Sequence, residues 1–265
     1  MIASTLEMVP SMSRFFHGRN LLYVGVGSAA AVIAVVLILV SVIGSSSAET
    51  TGSVPVTTTT GSGSSTPAAH PKAPGATATA ALFRGIPQQL NQLGNPKAKV
   101  TMIEFADPQC PYCRQYELDT LPAIVREYVR TGKVKLIYFG IPIIGQNSEA
   151  GLRAVYAAGL QNRLWNFSHL LYRSQGAENS GWITDDLLRR IGDSIPGFDT
   201  ARMMADRQSS DVENALAASA QQATNGRVDR TPTFFAGPTG GTLQQVPLTA
   251  LTAAAFRPSL DALVK

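Results

Sequence analysis

The chain has 265 residues, a formal net charge of +4 at pH 7 and charged residues at only 15% of positions. Acidic and basic residues interleave, and no sustained basic run follows residue 81, which argues against a nucleic-acid-binding protein. Beyond residue 81 the chain has two cysteines and one histidine, His169. A structural zinc site needs about four ligands, so we predict no metal.

The N-terminal region has the pattern of a membrane anchor. Residues 1–20 include two arginines, and residues 21–43 carry no charge. A helix rises about 1.5 Å per residue, so this second stretch is long enough to cross a hydrocarbon core of about 30 Å. No basic residue follows until Lys72, so we predict a single-pass signal anchor in the cell membrane, with a cytoplasmic N-terminus and the remainder extracytoplasmic. The alternative is a signal peptide cleaved near Ser46-Ser47-Ala48.

The next segment, residues 44–81, is rich in serine, threonine, glycine, alanine and proline. It contains too little apolar surface to offset the entropy lost on ordering, and we predict a disordered linker. Residues 82–265 then have a normal length for one domain. Within it we expect a short strand and turn over residues 82–96.

The centre of this domain is predicted to be a strand that leads directly into a helix. Residues 100–106 are apolar and partly β-branched, apart from Glu104. The following helix begins at Cys110-Pro111-Tyr112-Cys113, and Pro111 suits its first position because a missing N–H has no consequence there. Pro122 lies farther along and should kink this helix.

The two cysteines are therefore placed where chemistry is favoured. Free N–H groups at a helix start stabilise a thiolate, and such a setting lowers a cysteine pKa from about 8.5 to roughly 3.5–7.5. We expect Cys110 to be the accessible nucleophile and Cys113, facing inward, to be the resolving thiol. A purely structural disulfide is the alternative, but so short a loop would constrain little of the unfolded chain.

After this helix, the pattern predicts a buried strand at 134–142 and helices throughout 148–225. Thr184 and Asp199 are candidate N-caps within that helical region. His169 lies there on an aromatic stretch, and we interpret it as a packing or surface histidine. Strands near 233–236 and 242–246 and a closing helix at about 249–263 complete the domain.

Two sequence motifs together indicate a family. The first is Glu104-Phe-Ala-Asp-Pro-Gln-Cys-Pro-Tyr-Cys113, and the second is Thr231-Pro232-Thr-Phe-Phe235. In this order they resemble the DsbA-like branch of the thioredoxin superfamily, over roughly residues 83–264. The resemblance implies an α/β thioredoxin fold with an inserted helical subdomain at about 145–225. Arg230 is a departure, because family members often have glycine there.

The resemblance also implies roles for individual residues. Pro232 would be cis and would pack beside the Cys110 sulfur, and Glu104 would be a buried acid that exchanges a proton with Cys113. The other interpretation of Glu104 is a solvated charge on an edge strand. Thr231 and Pro232 would hold the substrate peptide by main-chain pairing, while Pro111 and Tyr112 would support the active site.

The activity implied is that of a thiol-disulfide oxidoreductase that introduces disulfides into cysteine-containing exported proteins. It needs no cofactor beyond the Cys110–Cys113 disulfide. A membrane reoxidase of the DsbB or vitamin-K-epoxide-reductase-like type would reoxidise it. A reductase or isomerase would use the same residues, and a chaperone-like peptide-binding module without essential redox activity is an alternative of another class. No dimerisation domain is evident, so we expect a monomer.

Overall fold

A mixed β-sheet forms the core of the structure, a computed structural model that describes Thr5–Glu7 and residues 71–265. Within these residues, seven strands pair in the order β1-β7-β6-β4-β5-β3-β2. Strand β4 pairs in parallel with β5 and antiparallel with β6, so it is central. The strands are β1 (Thr5–Glu7), β2 (Gln88–Gln89), β3 (Gln92–Leu93), β4 (Val100–Ala106), β5 (Val134–Gly140), β6 (Thr233–Pro238) and β7 (Thr242–Gln245).

Strand β4 is buried along its whole length because it is covered on both faces and paired on both sides. Its predicted position is confirmed, and it brings Glu104 into the middle of the sheet. Tyr138 of β5 and Phe234 of β6 are the register partners of Glu104. The ring of Tyr116 lies 4.5 Å from that of Phe234, centroid to centroid, so the helix after β4 packs on this part of the sheet.

The helix that follows β4 is continuous over residues 111–129, and we call it the Cys113 helix. It alternates between α-helical and π-helical hydrogen bonding. Pro122 lies at the start of an α-helical segment, directly after a π-helical turn, where its missing N–H is tolerated. The segments are α2 (Pro111–Gln115), a π turn (Tyr116–Thr120), α3 (Leu121–Ile124) and a second π turn (Val125–Val129).

The predicted helical insertion is confirmed between β5 and β6. Thr184 and Asp199 cap two of its helices as expected, accepting hydrogen bonds from the N–H groups of Leu187 and Arg202. Large aromatic side chains, including Trp165 and Tyr172, fill its interior. The helices are α4 (Gln146–Gly159), α5 (Leu164–Arg173), α6 (Asp185–Asp193), α7 (Thr200–Asp206) and α8 (Ser210–Gly226).

The predicted boundary between linker and domain at residue 82 is wrong. Helix α1 (Ala76–Phe83) lies across it and packs against α5. Ala73, Ala76 and Phe83 are buried, and the N–H of Ala73 donates a hydrogen bond to Ser194 Oγ at 2.7 Å. Small residues that are typical of a linker are here the ones that allow a helix to approach the insertion closely. The expected short strand is the two-stranded hairpin β2–β3.

The prediction that residues 1–20 are cytoplasmic conflicts with the structure, because Thr5–Glu7 pair with β7 in the same sheet as the central strand β4. The other N-terminal predictions lie outside the described residues. These are the membrane anchor at 21–43 and the linker from 44 to residue 70. In the part of the chain that the structure describes, no helix has both the length and the apolarity needed to cross a membrane.

The C-terminal elements follow the prediction with shifted boundaries. Strand β6 runs two residues past the expected end, to Pro238, and β7 ends at Gln245. The closing helix α9 (Ala253–Leu263) begins after its N-cap Thr252, later than expected. Its Phe256 packs against Tyr116 and Phe234, so α9 covers the same face of the sheet as the Cys113 helix.

Candidate active site

Cys110 and Cys113 lie at the start of the Cys113 helix, where the carboxyl end of β4 meets it. Cys110 is the N-cap, with an extended backbone, and Pro111 occupies the first turn. Both cysteines are free thiols in this structure. Cys110 is only 4% exposed, which is less accessible than we expected, and Cys113 is completely buried. Tyr112, by contrast, is 63% exposed beside them.

The surroundings of Cys110 stabilise its thiolate. A hydrogen bond from the Cys113 thiol is the main cause that lowers the pKa of Cys110 to about 6. Burial opposes this effect, while the Thr231 side chain and the N–H groups of Cys113 and Tyr112 reinforce it. Cys110 is therefore largely ionised at neutral pH, which is the form that attacks disulfides.

Cys113 is tuned in the opposite direction. Burial raises its pKa well above the usual value, and the neighbouring Cys110 raises it further. Of the two sulfurs, Cys113 therefore remains protonated when both are reduced. The pair accordingly divides into a thiolate close to the surface and a thiol in the interior.

The loop before β6 closes over the cysteines. The Thr231–Pro232 peptide bond is cis, as the resemblance implied. The carbonyl oxygen of Thr231 lies 3.3 Å from Cys110 Sγ and accepts a hydrogen bond from the thiol form. Thr231 and Pro232 are both partly exposed, so a peptide can reach their main chain beside the Cys110 sulfur. Arg230 is exposed and pairs with the adjacent Asp229.

The carboxyl of Glu104 lies inside the protein and not at an exposed sheet edge. The residue is 2% exposed, and neither of its carboxyl oxygens has a hydrogen-bond partner among the described residues. Burial raises the pKa of Glu104 well above its usual range, and the charges of Glu117 and Cys110 raise it further. Burial thus favours the protonated form of Glu104, and the charge of Glu104 raises the pKa of Cys113 in turn.

A second buried acid was missed by sequence analysis. Glu117 of the Cys113 helix is completely buried, and its Oε2 lies 3.2 Å from Nδ1 of His169 on α5. His169 is 3% exposed, so it is neither a surface histidine nor simple packing. The available signal was the position of Glu117, one helical turn after Cys113 and therefore on the same inward face.

A buried polar network fixes the loop between β4 and Cys110. Asp107 accepts hydrogen bonds from the Gln109 N–H, the Ser148 hydroxyl and the Ile144 N–H, at 2.6–2.9 Å. The Gln175 amide donates to the carbonyl of Cys110 at 3.1 Å, as well as to that of Pro108. The helical insertion therefore holds the cysteine loop in place through directed hydrogen bonds.

No group of three or more histidine, cysteine or acidic side chains in the described part of the chain is arranged to hold a metal ion. The chemistry of the site rests on the two sulfurs and the buried acids around them.

Comparison with known proteins agrees with this geometry. A thioredoxin family model matches residues 88–242, which is more than half of the chain. The chain belongs to the thioredoxin superfamily. Within it, the chain is 32% identical over 146 residues to the probable disulfide bond formation protein D of Bacillus cereus, covering 54% of this chain and 68% of the relative. That similarity places it in the DsbA-like branch.

Solved structures have the same fold as this DsbA-like chain. Oxidised BdbD from Bacillus subtilis superposes with a TM-score of 0.58 at 18% identity, covering 68% of this chain and 97% of that one. DsbA from Chlamydia trachomatis gives a TM-score of 0.55 at 19% identity, with 66% and 91% covered. At these identities the likeness concerns the fold alone.

Proposed function

We propose that this DsbA-like thiol-disulfide oxidoreductase acts as an oxidase, which introduces disulfides into exported proteins. The observation that carries the proposal is the stabilised thiolate of Cys110, whose pKa is lowered to about 6. A thiolate exists only in the reduced enzyme. Its stabilisation favours the reduced form and makes the Cys110–Cys113 disulfide a stronger oxidant.

The reaction begins when a substrate thiolate attacks Cys110 Sγ in the oxidised enzyme. The Cys110–Cys113 bond breaks, its electron pair goes to Cys113, and a mixed disulfide joins the substrate to Cys110. Because a charge on Cys113 is strongly disfavoured by burial, the departing sulfur takes a proton, and Glu104 is the buried acid positioned to supply it.

A second substrate thiolate then attacks the substrate sulfur of the mixed disulfide. The substrate leaves with a new disulfide, and Cys110 leaves as a thiolate, a good leaving group at a pKa of about 6. The main chain of Thr231 and Pro232 holds the substrate as an added strand next to the sulfur. Tyr112 and Pro111, both exposed, form the neighbouring contact surface.

The cellular setting completes the proposal. The domain would lie outside the cytoplasm, where substrate disulfides persist, and the uncharged stretch at 21–43 supports association with the membrane. The reduced enzyme would pass its electrons to a membrane reoxidase of the DsbB or vitamin-K-epoxide-reductase-like type. The relatives named disulfide bond formation protein D support the oxidative direction.

The test is the reduction potential of the full chain, kept in mild detergent and equilibrated with glutathione buffers. We expect a value well above the range of glutaredoxins, about −200 to −230 mV. A value near that of thioredoxin, about −270 mV, would overturn the oxidase direction in favour of a reductase. Cys110→Ala should abolish oxidation of a two-cysteine peptide and, with it, the biological function. A Cys110→Ala variant that leaves the phenotype of the cell unchanged would instead favour a peptide-binding module.

A further inference from the structure

A short segment of the helical insertion, residues 175–179, contacts the loop that carries Cys110. The segment follows α5, and its first side chain, Gln175, is partly buried. The Nε2 group of Gln175 donates hydrogen bonds to the carbonyl oxygens of Pro108 at 2.8 Å and of Cys110 at 3.1 Å. A single amide thus joins the two carbonyls that lie on either side of Gln109.

The same segment holds the side chain of Gln109. The N–H of Asn179 donates to Gln109 Oε1 at 2.8 Å, and Gln109 Nε2 donates to Asn179 Oδ1 at 3.3 Å. Gln109 is 1% exposed, so its amide depends on partners within the protein. Each of the three consecutive residues 108–110 is therefore hydrogen-bonded to residues 175–179.

The segment is anchored well enough to act as a clamp. Asn179 Nδ2 donates to the carbonyl oxygen of Ile144 at 3.2 Å, which ties the segment to the loop after β5. The Trp182 side chain packs so closely on Gly176 that a Cβ atom at this glycine would lie 2.8 Å from it. The segment is thus fixed independently of the loop that it contacts.

The carbonyl of Cys110 is a sensitive place for such a contact. Cys110 is the N-cap of the Cys113 helix, and its carbonyl also accepts a helical hydrogen bond from the Arg114 N–H at 3.1 Å. The Cys113 thiol and the N–H groups of Cys113 and Tyr112 lower the pKa of Cys110. These groups reach the sulfur only if the Cys110 backbone is correctly oriented to the first helical turn, and Gln175 fixes that orientation from outside the helix.

We propose that Gln175 and Asn179 are positioning residues for Cys110. They hold residues 108–110 so that the first turn of the Cys113 helix keeps its donors on the Cys110 sulfur. Both side chains are neutral, so they act through orientation and leave unchanged the titratable groups that influence the sulfur, which are Cys113 and Glu104. This inference rests on the proposed function for the role of Cys110 as the nucleophile, and it gives the helical insertion a part in that role.

The experiment follows alkylation of the reduced full chain by iodoacetamide across a range of pH, in mild detergent. Gln175→Met keeps the approximate size of the side chain and removes the donor. We expect the midpoint of alkylation to rise by roughly half to one pH unit, the equivalent of one lost hydrogen bond. The reduction potential should fall in the same variant, because a less stable thiolate favours the disulfide.

The matched control is Gln161→Met. Gln161 lies in the same insertion, and its side chain makes a similar pair of hydrogen bonds, to the main chain of Asp199 at 2.9 and 3.0 Å. Its replacement should loosen the insertion and leave the midpoint of alkylation unchanged. An unchanged midpoint in folded Gln175→Met would overturn the proposal, and so would an equal rise in Gln161→Met.

A second variant decides the question if Gln175→Met fails to fold. Asn179→Gly removes the side chain of an exposed residue and keeps its φ of 55°, which glycine adopts readily. The midpoint should rise by less than in Gln175→Met, because the N–H of residue 179 can still donate to Gln109. An unchanged midpoint in Asn179→Gly would then overturn the proposal. Alkylation uses no client protein, so an unmodified chain that fails to oxidise a two-cysteine peptide would overturn the proposed function and leave this result standing.

Discussion

The carbonyl oxygen of Thr231 lies 3.3 Å from the Sγ atom of Cys110, although the two residues are 121 positions apart. The contact joins the last segment before β6 to the start of the Cys113 helix. Thr231 serves both forms of the sulfur, since its carbonyl accepts from the thiol and its side chain donates to the thiolate. The loop that contacts the substrate is thus also a loop that tunes the nucleophile.

The first prediction concerns the ionisation of Cys110. Alkylation of the reduced chain by iodoacetamide should follow the thiolate and rise with pH around a midpoint of about 6, with modification confined to Cys110. Cys113→Ala removes the strongest stabilising hydrogen bond and should move the midpoint upward. Cys113→Ser retains a hydroxyl donor and is the matched control, with a smaller shift. Equal midpoints in all three proteins would contradict the assignment.

The second prediction concerns the pH dependence of stability. Folding lowers the pKa of Cys110 from about 8.5 to about 6, so the reduced chain has this stabilisation fully above pH 8.5 and loses it as the pH falls through 6. The oxidised chain has no thiolate and lacks the effect. Between about pH 5 and 7.5, below the range in which the Cys113 thiol of the unfolded chain ionises, the free energy of unfolding in urea should rise more for the reduced form than for the oxidised form, by on the order of 1 kcal/mol at pH 7 after solvent screening. Parallel pH profiles would refute this.

The third prediction is that Glu104→Gln stabilises the protein while impairing its chemistry. The pKa of Glu104 is raised on folding, so native stability falls as the pH rises above the unfolded value of about 4.3. Replacing the carboxyl by an amide removes that dependence. We expect the free energy of unfolding at pH 7 to rise by roughly 1–3 kcal/mol, a gain that disappears below pH 4.

The matched control for this change is Glu127→Gln. Arg257 lowers the pKa of Glu127, so the contribution of this acid to stability is lost as the pH falls. Replacing it should change the free energy of unfolding only slightly, because the ion pair lies at the surface. Release of substrate from the mixed disulfide through Cys113 should slow only in Glu104→Gln, as followed by acid trapping and mass spectrometry. A destabilised Glu104→Gln at neutral pH would count against a protonated acid.

The fourth prediction locates the true start of the folded domain. A fragment of residues 71–265 should be more stable to urea than one of residues 82–265, because the shorter fragment loses most of α1 and the hydrogen bond from Ala73 to Ser194. Removing these buried contacts should lower the free energy of unfolding by roughly 2–4 kcal/mol. Equal stabilities would mean that α1 contributes nothing to the fold.

The fifth prediction concerns the loop before the cysteines. Asp107→Asn places an amide N–H₂ against groups that already donate hydrogen bonds. We expect this change to lower the free energy of unfolding by about 2–4 kcal/mol. The same change at Asp119, exposed on the Cys113 helix, should have little effect. The reduction potential should shift only in the Asp107 variant, because only that residue positions the loop that holds Cys110.

The sequence alone predicted the site residues that belong to a recognisable local pattern. A β-branched strand, a proline in the first helical turn and two cysteines one turn apart led to Cys110, Cys113 and the position of Glu104 without any structure. The cis bond before Pro232 came from the family resemblance, because a threonine–proline pair by itself says little about isomerism.

The remaining features depend on contacts between distant elements. Glu117 and His169 are 52 positions apart, and neither has a local pattern that distinguishes a buried pair from two solvated residues. Helix α1 has nearly the composition of the linker before it, so only its packing against α5 separates the two. The depth of Cys110 likewise reflects the Thr231 loop folding back over it, which spacing does not reveal.

That depth determines when a client protein can react. A cysteine on a finished domain would meet the protruding ring of Tyr112 before it reached a sulfur that is 4% exposed. A chain that has not yet folded can lie extended along the Thr231 main chain and bring its thiol down to Cys110. If the proposed function holds, an unfolded client should therefore react faster than the same cysteine on the surface of a folded protein.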